Sequence, residues 1–258
     1  QPCVVTVHDL ITFSSPRDTT DRLIQKSMQS LKHVQRIICV SDKTRNDLLH
    51  FLDVDPERVK TIYEGVNHTL FQPRDKAKCR EILGLAPKKL LVLHVGSEEP
   101  RKNIPTLINA FYRLQKEIPD AILVRVGEKT TGVQRIIDSL KLTDKVIYFK
   151  GVNDLGYFYN AADLLAFPSY EEGFGFPPLQ AMASGCPVIA SNATSIPEIV
   201  GDAGILIDPS DAEGLANCMR EVYINEELRS RLTEDGLRRS KAFSWERNAK
   251  ETLEVYQE

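Results

Sequence analysis

The chain of 258 residues has no apolar stretch near the ~20 residues that a membrane-spanning helix needs. It also lacks a block of like charge. Its 33 basic and 36 acidic residues are interspersed and leave a formal net charge of −3, so nothing tracks the phosphates of a duplex and no nucleic acid partner is expected. The five cysteines (Cys3, Cys39, Cys79, Cys186 and Cys218) are scattered and form no C-x-x-C pair. That pattern speaks against a zinc cluster and against a disulfide framework, and it fits a reducing, cytoplasmic setting. No G-x-G-x-x-G follows an apolar run, which removes the main signal for a dinucleotide oxidoreductase. Internal repeats and low-complexity tracts are missing as well.

What is present is an alternation of short β-branched apolar runs with helical patterns, in a chain that is 42% hydrophobic. Residues 3–7, 36–40, 59–63, 90–95, 121–126, 145–149, 163–167, 187–190 and 204–207 read as buried strands. Between them, Asn103 opens a helical pattern through Leu107, Ala110, Phe111 and Leu114, and Asp211 opens another carrying Leu215, Met219 and Val222. The alternation predicts an α/β chain with parallel sheets, whose ligands bind beyond the carboxyl ends of the strands. The segment Phe71-Gln72-Pro73-Arg74-Asp75 breaks the pattern. The reading therefore divides the chain into residues 1–72, 73–240 and a terminal helix at 241–258, with Ser244 as its cap. Three strands are few for a parallel sheet covered on both faces, so the first domain is expected to be only partly present.

The strand ends carry the chemistry. After residues 90–95 comes GSEEPRKN, a glycine turn that delivers Arg101 and Lys102 to the mouth of a helix. That pair can hold a diphosphate, or it can be a solvated loop. Residues 169–191, SYEEGFGFPPLQAMASGCPVIAS, place Glu171 and Glu172 before glycines and a proline-opened helix. This corner suits an anion or a polar sugar, and it can equally be a plain turn. His8 ends the first strand, where an imidazole can bond a polar ligand or simply be a satisfied side chain. Gly151 and Val152 follow the sixth strand.

The blocks VVTVHDL, ICVSDKTRNDLL, TIYEGVN, HVGSEEPRKNIPTLINAF, IPEIVGDAGILIDP and FSWERNA, together with residues 169–191, resemble in order those of the retaining glycosyltransferases of family 4. The resemblance implies the GT-B fold: two Rossmann-like parallel-sheet domains, the first of them truncated here. It implies metal-independent transfer of a sugar from a nucleotide diphosphate donor to a saccharide, lipid or other hydroxyl acceptor, with no further cofactor. It places His8 at the donor sugar, Arg101 and Lys102 at the diphosphate, and Glu172 at the sugar hydroxyls as the first acid of an E-x7-E motif. The backbone of Phe174, Gly175 and Phe176 approaches sugar and phosphates, and Gly151 and Val152 pair with the nucleobase edge. Gln180 stands where the family has its second acid, at the ribose, and an amide offers one acceptor oxygen where a carboxylate offers two.

A cytoplasmic enzyme, working at the inner face of the membrane through contacts made by its missing N-terminal part, completes that expectation. The alternative is an inactive or partial sugar-nucleotide-binding module. Asp53-Val54-Asp55 has the D-x-D spacing of metal-dependent transferases, yet Asp55-Pro56 reads better as a helix cap. The Asn67-His68-Thr69 and Asn192-Ala193-Thr194 tripeptides match a glycosylation pattern that is common by chance.

Overall fold

The computed structural model describes residues 3–11, 26 and 28–258. Among these, nine strands form two parallel sheets. The smaller has the order β1-β2-β3, from Val4–Val7, Arg36–Cys39 and Val59–Thr61, in register Val4 to Arg36 and Ile37 to Val59. The larger has the order β6-β5-β4-β7-β8-β9. Its strands are β4 (Leu91–Val95), β5 (Ile122–Val126), β6 (Val146–Phe149), β7 (Leu164–Phe167), β8 (Val188–Ser191) and β9 (Ile205–Ile207). The chain winds outward from β4 to β6 and then returns to lay β7 against the free side of β4. A crevice opens where the order reverses, and the loops after β4 and β7 flank it.

Helices cover the large sheet on both faces because its strands are apolar on both. On one face Leu93, Val95 and Phe167 pack with Leu179 and Met182 of α6 (Phe176–Ala183) in the same core. On the other, Leu90 and Val92 pack with Phe111 of α3 (Ile104–Glu117) and Met219 of α8 (Ala212–Ile224). Further helices among the described residues are α1 (Asp42–Phe51), α2 (Lys76–Ile82), α4 (Thr131–Ser139), α5 (Gly156–Ala161), α7 (Ile196–Val200), α9 (Glu226–Ser240) and α10 (Trp245–Gln257). Side chains cap several of them as the sequence predicts: Asp211 accepts from Gly214 N, and Ser244 from Arg247 N. Asp55 of the D-x-D tripeptide caps a short 3-10 turn, accepting from Glu57 N. Burial pushes the thiols of Cys39 and Cys186 up to about 12, so neither is a ready nucleophile. No described helix is long and apolar enough to cross a membrane.

The small sheet has its own core of Val7, Ile37, Cys39, Leu48 and Leu52. Helix α10 follows the helices of the large sheet but docks on the small one, where Val255 joins Ile38 and Ile62. Its C-terminal Glu258 pairs with Arg36 and Lys60. Gly65 permits the crossing. A Cβ there would sit 2.2 Å from the Trp245 nitrogen and 2.5 Å from the Ser244 carbonyl carbon. Both obstacles are backbone, so Gly65→Ala should lower stability by ~1–3 kcal/mol, read as a lower thermal midpoint. Limited proteolysis should then release α10 before the rest of the chain. An unchanged midpoint would show that the crossing has slack.

Candidate active-site cleft

The end of β1 and the loops after β4 and β7 meet in a cleft of about 230 Å³. His8, Arg101, Lys102, Glu172, Phe174, Gly175 and Phe176 all line it, so seven of the sequence-derived candidates come together from both sheets. Gly151, Val152 and Gln180 lie outside this lining. Val152 packs on the core beside β6, and Gln180 accepts a 2.9 Å hydrogen bond from the buried Tyr159 hydroxyl.

Local constraints set each group. Arg101 and Lys102 occupy a 3-10 turn (Pro100–Lys102) that ends at Asn103, which is held at φ 54°. The Asn103 amide donates to the carbonyls of Pro168 and Pro209, tying the turn to the ends of β7 and β9. Gly175 takes φ 119° as the cap of α6, which a side chain would strain, and Pro177 and Pro178 fill the first turn. Ser195 donates to the carbonyls of Glu172 and Phe174, while Thr194 accepts from Glu172 N at 3.1 Å. The loop bearing Glu172 is thus held from behind.

The charges are matched in pairs. Lys102 Nζ donates to both Glu172 oxygens at 2.7 and 2.9 Å, and Arg101 Nη1 reaches the same carboxylate at 3.4 Å. Lys102 and Glu172 are almost fully buried, whereas Arg101 is about a third exposed. Across the cleft, His8 Nδ1 lies 3.1 Å from Glu64 Oε1. The imidazole is 66% exposed and the carboxylate 9%, so the ring projects into the cleft from a fixed base. Among the described residues, no three His, Cys, Asp or Glu side chains gather as a metal site would require.

Sequence reasoning missed Glu64, Gly173 and Thr194. Glu64 stands just beyond β3 in TIYEGVN, and an acid at a strand end was the available signal. A Cβ on Gly173 would lie 2.3 Å from the His8 carbonyl oxygen, so this glycine lets the two sheets approach. Thr194 was hidden by its place in a glycosylation tripeptide.

Burial pushes the Glu64 carboxyl above its ordinary 4.5, and His8 pulls it back in part. The folded protein therefore holds this proton more tightly than the unfolded chain does. Glu64 burdens stability least below about pH 4.5, and its cost grows as pH rises through the raised value. Glu64→Gln should flatten the fall in stability above about pH 4.5, measured by urea unfolding across pH. Glu198, which burial also raises, supplies slope that remains. A variant curve parallel to wild type would mean that Glu64 is solvated in solution.

Comparison with known proteins gives the family. Family models match for Glycosyltransferase Family 4 over residues 1–70 and for Glycosyl transferases group 1 over residues 75–239. O-antigen chain mannosyltransferase B of Escherichia coli is 32% identical over 268 residues, covering 98% of this chain and 69% of the relative. A D-inositol 3-phosphate glycosyltransferase of Nocardioides is 28% identical over 249 residues, covering 88% and 54%. The chain thus spans about half to two thirds of the length of such relatives. Among solved structures, sucrose-phosphate synthase of Thermosynechococcus elongatus superposes with a TM-score of 0.85 at 27% identity, over 98% of this chain and 67% of that one. Anabaena HepE, solved with UDP and glucose, reaches 0.87 at 23% identity, over 100% and 72%, and shows the shared fold. The parallel sheets and their neighbours place the architecture in the GT-B class. With its matching residues spread over both sheets, the chain belongs to the glycosyl transferases group 1 family.

Proposed function

We propose that the protein to which this chain belongs moves a sugar from a nucleotide diphosphate donor to a hydroxyl of a saccharide or lipid-linked acceptor, with retention at the anomeric carbon and without a metal ion. One observation carries the reading. An imidazole from the small sheet and two cations and a carboxylate from the large one converge on a single cleft at the switch point. A binding module needs cations for phosphate, but it has no need of a second sheet that presents His8 with its Nδ1 anchored on Glu64.

The chemistry follows from where charge develops. As the bond from the anomeric carbon to the diphosphate oxygen breaks, its electron pair stays on the phosphate. Arg101 and Lys102 then face growing negative charge, which fixed cations in a dry site stabilise more strongly than water does. That is the task a metal ion performs in other transferases. Glu172, released in part from Lys102 by the competing phosphate, accepts from hydroxyls of the donor sugar. With Nδ1 turned to Glu64, His8 is left Nε2 for the sugar. A relative named as a mannosyltransferase, and a neighbour solved with UDP and glucose, support a nucleotide hexose as the donor class.

Arg101→Ala is the cleaner test of the diphosphate subsite because Arg101 is the more exposed cation. It should weaken nucleoside diphosphate binding by roughly ten- to a hundredfold, the cost of a charged hydrogen bond, measured by calorimetry with UDP and GDP. Lys102→Ala should do the same and also lose about 3–5 kcal/mol of stability, since it strands the buried Glu172 carboxylate. Unchanged affinity in both variants would remove these cations from the site. Transfer by the full-length protein should continue in EDTA. Loss of activity on chelation, restored by Mg²⁺ or Mn²⁺, would overturn the metal-free reading.

A further inference from the structure

The least expected feature of the large sheet is a cluster of ionisable groups beneath the loop that carries Arg101 and Lys102. Arg125, next to the last residue of β5, is 0% exposed, as is His94 on the neighbouring β4. The Arg125 guanidinium donates from Nη1 to His94 Nδ1 and from Nη2 to Glu98 Oε1, the latter at 3.2 Å. A guanidinium can only donate, so His94 Nδ1 is the acceptor and the ring proton sits on Nε2. Burial and the adjacent Arg125 hold His94 far below its ordinary range, in its neutral form. Neither His94 Nε2 nor Arg125 Nε finds a partner among the described residues. The cluster is therefore not a closed, self-satisfied unit, and a core of leucines would serve stability at least as well.

Glu98 explains what the cluster reaches. Its fully buried carboxylate accepts from Arg125 of β5, from Thr130 N at 2.6 Å in the loop after β5, and from the Tyr148 hydroxyl at 2.6 Å on β6. Burial and the bond to Glu98 push the Tyr148 phenol up to about 12, so it remains a donor. Glu98 itself stands in the loop after β4, three residues before Arg101. One carboxylate thus ties the segment bearing the two cations to the two strands that lead to Gly127 and Gly151. The backbones approach at the same place: Gly96 N donates to Val126 O at 2.9 Å, and a Cβ on Gly127 would lie 2.2 Å from Gly96 O.

We infer that Glu98, anchored by Arg125 and Tyr148, is a positioning residue that fixes the Arg101–Lys102 turn in the geometry needed to bind a diphosphate. The inference rests on the diphosphate reading of those two cations. It needs a carboxylate at position 98, because only an anion answers the buried guanidinium while also accepting from two further donors on separate elements.

The test compares Glu98→Gln, Tyr148→Phe and the double variant Glu98→Leu/Arg125→Leu with wild type. Inorganic diphosphate, UDP and GDP are titrated by calorimetry, and amide hydrogen exchange is followed along the chain. Glu98→Gln and the double variant should lose about tenfold or more in diphosphate affinity, as misplaced binding groups do. Tyr148→Phe, which removes one bond of three and keeps the charge pair, should lose about threefold. Exchange at residues 97–103 should quicken while β7 and β8 stay protected. A purely structural role predicts the opposite: protection falls across the whole sheet and the folded fraction keeps wild-type affinity. That result, in Tyr148→Phe alone if the other variants do not fold, would overturn the positioning role. Wild-type protein that bound none of the three ligands would overturn the reading of the site itself, and the inference with it.

Discussion

The cleft depends on one buried ion pair. Taking a lysine and a glutamate out of water costs several kcal/mol for each charge, and their attraction repays this only when geometry is good and further hydrogen bonds are made. Lys102 meets both Glu172 oxygens, and Arg101 adds a third contact. The pair is held because its two loops leave the adjacent strands β4 and β7 and are cross-tied, Asn103 to Pro168 and Tyr170 N to Arg101 O. Such a pair stores a specific demand. A ligand with more negative charge than one carboxylate gives the cations a better partner, and it leaves Glu172 needing donors. The diphosphate and sugar hydroxyls of the proposed donor would meet that demand.

The second constraint is how the sheets are held across the cleft. The Glu198 carboxylate, from α7 on the large-sheet side, accepts from the Asp42 and Lys43 amides at 2.8 and 2.7 Å, and so caps α1 of the small-sheet side. A carboxylate at a helix N-terminus satisfies orphan donors and meets the positive end of the dipole. Ser41, the cap residue of that helix, donates to the Gly173 carbonyl at 2.8 Å. The loop carrying Glu172 is therefore bonded to the sheet that carries His8. These contacts are polar, and Ser41 makes its bond from a fully buried position. Beneath them the two sides share apolar packing: Val40 and Val66 of the small-sheet side lie in the same core as Phe174 and the large-sheet strands, and the Tyr63 ring centroid is 6.4 Å from that of Phe174.

Much of this was legible in the sequence. All nine strands fall where short apolar runs occur, because strands buried on both faces read as near-continuous Val, Ile and Leu. Arg101, Lys102, Glu172 and His8 were legible as polar residues placed just past such runs. Glu64 stands just past the run 59–63 in the same way, but only the pairing of β1 and β3 through β2, which brings it against His8, gives that position its meaning. Arg125 was read simply as part of the run 121–126. Its partners come from residues 94 and 98, and no local spacing announces a partner on a neighbouring strand. Glu198 was passed over for a similar reason, since its donors lie more than 150 residues away in the chain.

Gln180 is the position where the chain departs from the resemblance, and the structure supplies a physical reason for an amide. The Tyr159 hydroxyl is 0% exposed and needs an acceptor, which Gln180 Oε1 provides. Tyr159 shares its core with Phe71 and Cys186, in surroundings apolar enough to push the phenol well above its ordinary value. A carboxylate bonded there would place a charge against that apolar wall, whereas the amide accepts the same hydrogen bond without one. Its NH₂ group still has two donors to offer. His8, Arg101, Lys102 and Glu172 line the cleft without Gln180, so its bond to Tyr159 leaves their arrangement untouched.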